Sequence, residues 1–414
     1  MSGAASLPAG AAAKNMRFVG YSDQGGMPGG TQIMVHRGHA YIGKNEGVSV
    51  LDVSDPRVPR AVNFLEGSNS SWHIHLQTHD DLLLVIDSVD FYMVKPDERD
   101  YYGRSVAGVH SSRYGVRGQD FAAGMRVYDI STPAEPTQIG YLPVEGCGLH
   151  RIWYDGGRYA YASALIDGYT DHILLIIDMA DPVHPVEAGR WWIPGMWRDG
   201  GETPAWTNRV ALHHAVVADG IAYGGWRDGG LTIVDVRDPA RPQLLAHRNW
   251  CPPFGGGTHS CLPLLDRDLL VVADEAVLDN CADGVKYTWI FDIREKSNPV
   301  SIATFPTPAE RDFPAEPGHF GPHNLHENRQ GSFQSDRVIY ATYQNAGLRV
   351  FDIADPFRPE ELGYFVPPLP ERMTERRKHR PLATHTTDVF VTTDGLAYIT
   401  DYNAGVYVVE YTGA

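Results

Sequence analysis

Histidine recurs along this chain in a regular setting that could bind a metal. The 414-residue sequence contains 18 histidines. Six segments place a histidine at or just before an apolar stretch that runs into a turn: SWHIHLQTHDD, GLHRIWYDGG, ALHHAVVADG, GTHSCLPLLDRD, PHNLHENRQ and ATHTTDVFVTTDG. Neutral imidazoles are common ligands of transition metals, and several that converge on one point favour a cation between them. The pattern therefore predicts a metal site to which several repeats contribute.

The distance of each histidine from the following turn predicts which histidines face the channel and could be ligands. Side chains of a strand alternate between its two faces, so residues at odd distances from the following turn share a face. His213 lies six residues before Asp219 and is therefore expected to point into the packing. His323 and His326 both precede an irregular segment, and Gln32 holds the corresponding position of the first repeat. The predicted ligands are His75, His150, His214, His259, His326 and His385.

A repeated sequence motif predicts the strands that would position these histidines. Its copies are VSVLDVSDPRVP, MRVYDISTPAEP, LLIIDMADPVHP, LTIVDVRDPARP, WIFDIREKSNP and LRVFDIADPFRP, with VYVVEY as a shortened last copy. Each is an alternating apolar strand that reaches an acidic residue, followed in the complete copies by a turn containing proline. A repeat of roughly 50 to 60 residues with about four strands is typical of β-propeller blades. The first strand of each blade lines the central channel, where the histidines would converge.

The two ends of the chain predict how the ring closes. The last copy lacks a fourth strand, and MRFVGYS, from Met16, has no earlier partner. We therefore predict an all-β, seven-bladed β-propeller in which this N-terminal strand completes the last blade, because an open array would leave sheet edges unpaired. Residues 1–414 would form one domain, with 1–14 as a flexible tail and 88–124 as an inserted, lid-like loop.

The long insertions and the ends of the second strands are expected on one face of the ring, where the histidines also enter the channel. Loops of this length often build binding sites, and these are rich in aromatic residues, which suits a small aromatic or apolar substrate. Polar side chains at the strand ends could serve as acid and base groups beside a metal. The candidate catalytic residues are Arg227, Glu275, Tyr343 and Asp401.

Composition restricts the partners and the location of the protein. The formal charge is −16, which argues against nucleic acid because phosphate binding needs a basic surface. No apolar run approaches the ~20 residues of a membrane span, and no secretory signal pattern is apparent. The four cysteines fit reduced thiols. We therefore expect a cytoplasmic protein with a small-molecule substrate, and homo-oligomerisation remains open.

The repeated phrase resembles a known family. LTIVDV, LLIIDM and SVLDVSDP are similar to the repeats of the LVIVD-repeat family, bacterial β-propellers, and this resemblance implies the fold. The histidine pattern separately resembles propeller enzymes with a metal on the axis. Carotenoid-cleavage-type oxygenases and the selenium-binding-protein/methanethiol-oxidase group imply a set of four histidines. Oligogalacturonate lyases imply manganese held by three histidines and a glutamine, which would correspond to Gln32, His75, His150 and His214.

These observations predict a metal-dependent enzyme with a multi-histidine centre in the channel. Iron, manganese, copper and zinc all accept mostly imidazole ligands. Open coordination positions would activate dioxygen or polarise a substrate oxygen, and we favour an oxidoreductase over a lyase or hydrolase. The alternative from another class is a non-enzymatic scaffold that binds a protein partner through its decorated face.

Overall fold

The computed structural model describes residues 6–91, 120–374 and 380–413. Within these residues the strands form five antiparallel sheets, and the two largest, with nine and eight strands, each combine two neighbouring repeat units. The first two units contain β3 (Ile33–His36), β4 (His39–Gly43), β5 (Gly47–Asp52) and β6 (Arg60–Glu66), then β7 (Ser71–Trp72), β8 (Leu76–His79), β9 (Leu82–Val89), β10 (Gly124–Asp129) and β11 (Thr137–Pro143). The third contains β12 (Gly146–Trp153), β13 (Tyr159–Ile166), β14 (Ile173–Asp178) and β15 (Val186–Trp191).

The remaining units follow the same plan. The fourth contains β16 (Val210–Ala218), β17 (Ile221–Arg227), β18 (Leu231–Asp235) and β19 (Gln243–Arg248), and the fifth β20 (Thr258–Leu264), β21 (Leu269–Asp274), β22 (Thr288–Asp292) and β23 (Val300–Thr304). The sixth contains β24 (Val338–Thr342), β25 (Leu348–Asp352) and β26 (Glu360–Val366), and the seventh β27 (Thr386–Val391), β28 (Leu396–Asp401) and β29 (Gly405–Tyr411). Short 3-10 turns cover Leu265–Arg267, Asp279–Cys281 and Phe313–Ala315.

The N-terminal strands complete the last two units. β2 (Met16–Ser22) pairs with β29, from Met16 opposite Tyr411 to Ser22 opposite Val406, as the sequence predicts. β1 (Ala12–Lys14) pairs with the outer strand β26 of the sixth unit. Residues 12–14, expected within a flexible tail, are therefore part of a sheet.

The acidic residue of the repeated phrase holds the turn that follows each third strand. The Asp52 carboxylate accepts a hydrogen bond from the Ser54 backbone N–H at 3.0 Å, and Asp235 accepts one from the Arg237 N–H at 3.0 Å. A carboxylate that bonds the amide two residues ahead mimics a backbone turn, which favours aspartate at this position. The same hydrogen bond, from the N–H two residues ahead, is accepted by Asp129, Asp178, Asp292 and Asp352.

Apolar clusters lie between neighbouring units and close the ring. One contains Phe390 and Val408 of the seventh unit, Val50 of the first and Leu83 of the second. Further clusters join units two to four, four to five, five to six and six to seven. Each sheet buries its faces against its neighbours, as the blades of a β-propeller do. The predicted all-β propeller class is therefore confirmed.

The predicted lid falls largely outside the described residues. β9 and β10 pair directly, with Asp87 opposite Gly124, so the chain between them is inserted between adjacent strands. Residues 92–119 of that insertion are not described. Among the described residues, no helix combines the length and the apolar character that crossing a bilayer requires.

Candidate metal centre

The innermost strands bring their first residues together around one small cavity. The cavity measures about 50 Å³, and residues from all seven units line it. Since a buried water needs at least roughly 10–15 Å³, the space suits an ion with a few small ligands. The polar side chains that line it are Thr31, His75, His150, His213, Arg227, His259, Glu275, His319, His323, His385, Thr387 and Tyr402.

Two groups of potential ligand atoms lie in this cavity. One consists of His75, His150 and His213, and the other of His259, Glu275 and His323. Within each group the ligand atoms lie within 4.8 Å of one another, and all six residues are buried. Two ligands of one metal can be at most about 4.2 Å apart, twice a metal–nitrogen bond. Small side-chain rotations would therefore bring either group into coordination range.

Glu275 is the acidic member of the second group. Its Oε2 lies 3.4 Å from His259 Nε2, and its Oε1 lies 3.4 Å from His323 Nε2. Two ligands of a tetrahedral ion with 2.1 Å bonds lie about 3.4 Å apart, so these spacings fit a common metal. The Arg227 guanidinium contacts the Glu275 carboxylate from the neighbouring unit. The channel therefore places a carboxylate among the candidate ligands, where we had expected imidazoles alone.

The hydrogen bonds of the rings assign their lone pairs. His323 Nδ1 lies 2.5 Å from the Thr387 carbonyl, which can only accept, so Nδ1 carries the proton. His259 Nδ1 lies 2.8 Å from Ser260 Oγ, and this hydroxyl donates onward to the His323 carbonyl at 3.3 Å. Ser260 Oγ therefore accepts a hydrogen bond from the His259 Nδ1–H. In both rings Nε2 presents a lone pair towards Glu275, and such outer hydrogen bonds typically orient metal-bound histidines.

His259 Nε2 is the atom that most needs an additional partner. It is buried and has no hydrogen-bond partner among the described residues. A buried polar atom without a partner costs about 1–3 kcal/mol. Here two acceptors, Nε2 and a carboxylate oxygen, face each other across 3.4 Å. A cation between them would satisfy both, so the residues present fit a metal ion.

The charge states also suit metal binding. Burial lowers the pKa of His259 well below its ordinary value, and His323, Arg227 and Arg151 lower it further against the opposing effect of Glu275. Burial likewise lowers the pKa of His75, His150 and His213, so these rings are neutral near pH 7. For Glu275, burial opposes ionisation, but the Arg227 guanidinium outweighs it and holds the pKa well below its usual range. A neutral His259 imidazole beside an ionised carboxylate can bind a metal ion without losing a proton.

The first group is less suited to a metal. The Arg151 guanidinium donates to His75 Nδ1 at 3.1 Å, so the neutral His75 ring carries its proton on Nε2. His150 Nδ1 is buried and has no hydrogen-bond partner among the described residues. His213 Nδ1 lies 3.2 Å from the His259 carbonyl and donates to it, which leaves Nε2 as an acceptor. The arginine beside His75 disfavours a cation here, so the second group is the stronger candidate.

The structure reverses the predicted roles of His213 and His214. His213 lines the cavity, whereas His214 is directed towards Glu327, with 3.8 Å between Nε2 and Oε1, and lies outside both groups. The pairing of β16 with β17 shifts register between Val210 and His214. Three residues of β16 and one residue of β17 lie between these two pairs, so β16 bulges immediately before His214 and the regular alternation of faces does not extend to His213. Counting back from Asp219 therefore selected the wrong neighbour.

His326 also lies outside both groups, and His323 takes its place. The His326 ring lies between Phe333 O, 2.8 Å from Nε2, and the Val391 N–H, 3.2 Å from Nδ1. It packs beside Phe333, Tyr340 and Phe390 and is a buried structural residue. The inner edge of the sixth unit has no regular strand here, only a bridge from Leu325 to Ala341. Without a strand, the alternation rule could not separate His323 from His326.

His385 borders the cavity without joining either group. Its ring stacks on Tyr402 with 5.6 Å between the centroids, and it lies 6.5 Å from the His323 ring. Gln32, considered as a ligand of the first repeat, accepts a hydrogen bond from the Leu76 N–H at 2.9 Å and holds the first two units together. Of the predicted ligands, the structure thus places His75, His150 and His259 in the two groups.

Two of the four predicted catalytic residues lie at the cavity and two lie away from it. Arg227 and Glu275 line the cavity and contact each other. Tyr343 instead packs with Phe313 and Phe320 in an apolar cluster. Asp401 accepts backbone hydrogen bonds from His385, Asn403 and Ala404, so it holds a turn and positions His385. The strand-end rule identified the correct face but could not distinguish residues directed towards the axis from those directed into loops.

Comparison with known proteins supports the fold. Residues 30–63 and 215–247, in the first and fourth units, match the LVIVD repeat, so the chain carries LVIVD repeats. No curated protein matches the sequence. The β-propeller domain of Cps50 (Swd1) from Myceliophteria thermophila superposes with a TM-score of 0.53 at 11% identity, over 92% of this chain and 96% of that chain. A functionally unknown protein from Desulfotomaculum acetoxidans gives 0.50 at 12% identity, over 81% and 84% of the two chains. At these identities, the likeness shows the fold alone.

Proposed function

We propose that this LVIVD-repeat propeller is a metal-dependent oxidoreductase whose ion is held by His259, Glu275 and His323. The observation that carries the proposal is the pair of 3.4 Å contacts in which imidazole lone pairs face the Glu275 carboxylate. Each contact is unfavourable between two acceptors and favourable across a shared cation. The geometry therefore supports a cation at this point of the channel.

Iron is the candidate metal that fits both this donor set and redox chemistry, because zinc, which also binds two histidines and a glutamate, is not redox-active. Two imidazoles and one carboxylate form the ligand set of non-haem iron(II) oxygenases, which leaves positions open for dioxygen and substrate. Manganese, copper and zinc accept the same donors. When bound, such an ion would supply redox chemistry or Lewis-acid activation of a small molecule.

Neighbouring side chains would set the charge and the tautomers of the proposed ligands. Arg227 keeps Glu275 ionised, and the Thr387 carbonyl and the Ser260 hydroxyl fix the tautomers of the two histidines. His213, stacked on His259, borders the same space as a neutral ring whose Nε2 could accept a hydrogen bond from a bound substrate. The small, buried cavity restricts water around the reacting atoms.

Metal analysis with paired variants tests this proposal. The protein is expressed in media supplemented with each candidate metal, and its content is measured by mass spectrometry. Glu275→Gln should lose most of the bound metal, because the neutral amide is a much poorer ligand. Glu327→Gln is the matched control, because Glu327 is the carboxylate that lies with Arg151 and His214 outside both groups. Oxygen consumption by the iron-loaded protein with small aromatic and apolar molecules then tests the reaction class.

Each result has a distinct meaning. Metal retained equally in both variants would refute the site. Metal bound at Glu275 without any oxygen-dependent turnover would move the assignment to a lyase or hydrolase that uses the same ion as a Lewis acid. If wild-type protein lacks metal after reconstitution with all four ions, the enzyme proposal fails and a partner-binding scaffold becomes the better explanation.

A further inference from the structure

A second cavity adjoins the metal centre. It measures about 280 Å³ and is bounded by residues 26–31 and 44–46 together with Phe64, Arg372, Thr374 and Tyr402. Thr31 and Tyr402 line both this cavity and the one that contains the histidines. Ligand pockets measure roughly 300–1,000 Å³, so a volume at the lower end suits a small molecule. The position suggests a compartment for the part of a ligand that does not react.

Lys44 is the most unusual side chain of this cavity. The residue is only 5% exposed, although lysine is rarely buried without a charged partner. Its ammonium donates to the Met27 carbonyl, and this is the one hydrogen bond that the described residues give it. An ammonium has three donors, and the cavity lies beside it. Lys44 can therefore donate hydrogen bonds to a ligand oxygen.

The charge of the cavity favours a monoanion. Arg372, an exposed residue that donates to the Gly26 carbonyl at 3.4 Å, contributes a second cation, and the exposed Glu46 contributes one carboxylate. The three groups leave one excess positive charge in a protein whose formal net charge is −16. A carboxylate of one negative charge balances this excess, whereas a phosphate monoester carries about −1.5 to −2 near pH 7.

The remaining lining would receive an apolar body. Met27, Pro28 and Phe64 supply carbon surface, and the hydroxyls of Thr31 and Thr374 supply isolated polar contacts. Tyr402 separates the two cavities: its ring stacks on His385, and its hydroxyl donates to Asn45 at 3.4 Å. A ligand held by Lys44 would extend past Thr31 and Tyr402 towards the histidines.

We propose that this cavity binds the carboxylate of a small organic acid with an apolar body, and that Lys44 and Arg372 recognise the carboxylate. The identification of this acid as the substrate rests on the proposed function, whereas its binding does not. The inference adds a substrate class and an orientation, with the carboxylate in the second cavity and the far end of the molecule at the metal centre.

Ligand-observed NMR provides the test. The probes are benzoate, phenylacetate, 3-phenylpropanoate and hexanoate at millimolar concentration, each compared with its primary amide as a neutral control of similar shape. Binding of at least one acid, at least about tenfold tighter than its amide, is expected, because a charge-assisted hydrogen bond is about twice as strong as a neutral one. Lys44→Met and Arg372→Gln should each weaken that acid about tenfold or more and leave the amide unchanged. Lys296→Met, on an exposed turn of the fifth unit, is the matched control and should change neither.

The outcomes separate this inference from the proposed function. Arg372 is exposed, so its variant keeps the test valid if the Lys44 variant fails to fold. The inference is overturned if none of the four acids binds, if the amides bind as tightly, or if both variants bind acid normally. Each measurement is repeated on metal-free protein and on Glu275→Gln. Acid binding without metal binding would refute the proposed function alone, and metal binding without acid binding would refute this inference alone.

Discussion

The imidazole of His213 stacks on that of His259, with 3.4 Å between the ring centroids and 22° between the ring planes. The His213 Nδ1–H also donates to the His259 carbonyl, so the two residues are joined through ring and backbone. This contact links the two groups of ligand atoms across adjacent units of the propeller. His213 is therefore a positioning residue for His259, whether or not it binds the ion itself.

The adjacent residues His213 and His214 provide a matched pair of variants. His213→Ala should weaken metal affinity by about 10- to 100-fold, the usual effect of removing an outer-shell partner of a metal-bound histidine. His214→Ala should leave the affinity unchanged, because that ring is directed towards Glu327. Both side chains are 2% exposed, so similar losses of stability are expected. Titration calorimetry of the two variants measures the difference, and equal affinities would refute the assignment of faces.

Asp388 should make the folded state less stable as pH rises. Burial raises its pKa from 3.8 to about 7, against the opposing effect of Arg151, with Glu327 and His323 also nearby. Between these two values the folded chain holds a proton that the unfolded chain has released, so stability falls with increasing pH and is constant above about 7. The total loss is about 4 kcal/mol at most, from roughly three pH units.

Asp388→Asn tests this contribution. The amide oxygen can still accept the hydrogen bond from the Ile33 N–H, which is 3.0 Å long in the native protein. The variant should be more stable than wild type at pH 8 and lose the advantage towards pH 4. Denaturant unfolding of metal-free protein across this range measures the difference. A variant destabilised by the same amount at every pH would contradict the prediction.

Acid binding in the second cavity should depend on the protonation of Lys44. Burial lowers the Lys44 pKa from 10.5 to about 8, although Glu46 opposes the shift. The ammonium predominates below this value and the neutral amine above it, so acid binding should weaken as pH rises through about 8. Arg372 stays charged throughout this range, and its contribution should persist. NMR titrations of the tightest acid at several pH values measure this, and a flat profile to pH 9 would contradict it.

Stepwise truncation tests how the ring closes. Removal of residues 1–10 should change little, because both N-terminal strands remain. Removal of residues 1–22 deletes β2 and exposes the edge of β29, and unpaired edges promote aggregation. Size-exclusion chromatography and thermal melts should show a monodisperse first variant and an aggregated or strongly destabilised second one. Two equally stable variants would mean that β2 is dispensable for closure.

The fold can be predicted from the sequence more completely than the residues of the candidate metal site. The repeated phrase specifies strands, turns and closure because aspartate, proline and alternating apolar residues act locally. The selection of ligands depends on the face to which each side chain points, and the bulge immediately before His214 interrupts the alternation of faces at His213. The same limit applies at His323, where the inner segment of the sixth unit is irregular. Glu275 was identifiable as a strand-end residue, but its proximity to His259 and His323 arises from packing between units.

Anomalous diffraction from crystals loaded anaerobically with iron(II) tests the central claim most directly. Data collected at the iron absorption edge should give one strong peak about 2.0–2.2 Å from His259 Nε2, His323 Nε2 and a Glu275 oxygen. The same peak should vanish in Glu275→Gln crystals and remain in Glu327→Gln crystals. A peak among His75, His150 and His213 instead, or no peak in iron-loaded wild-type crystals, would contradict the account.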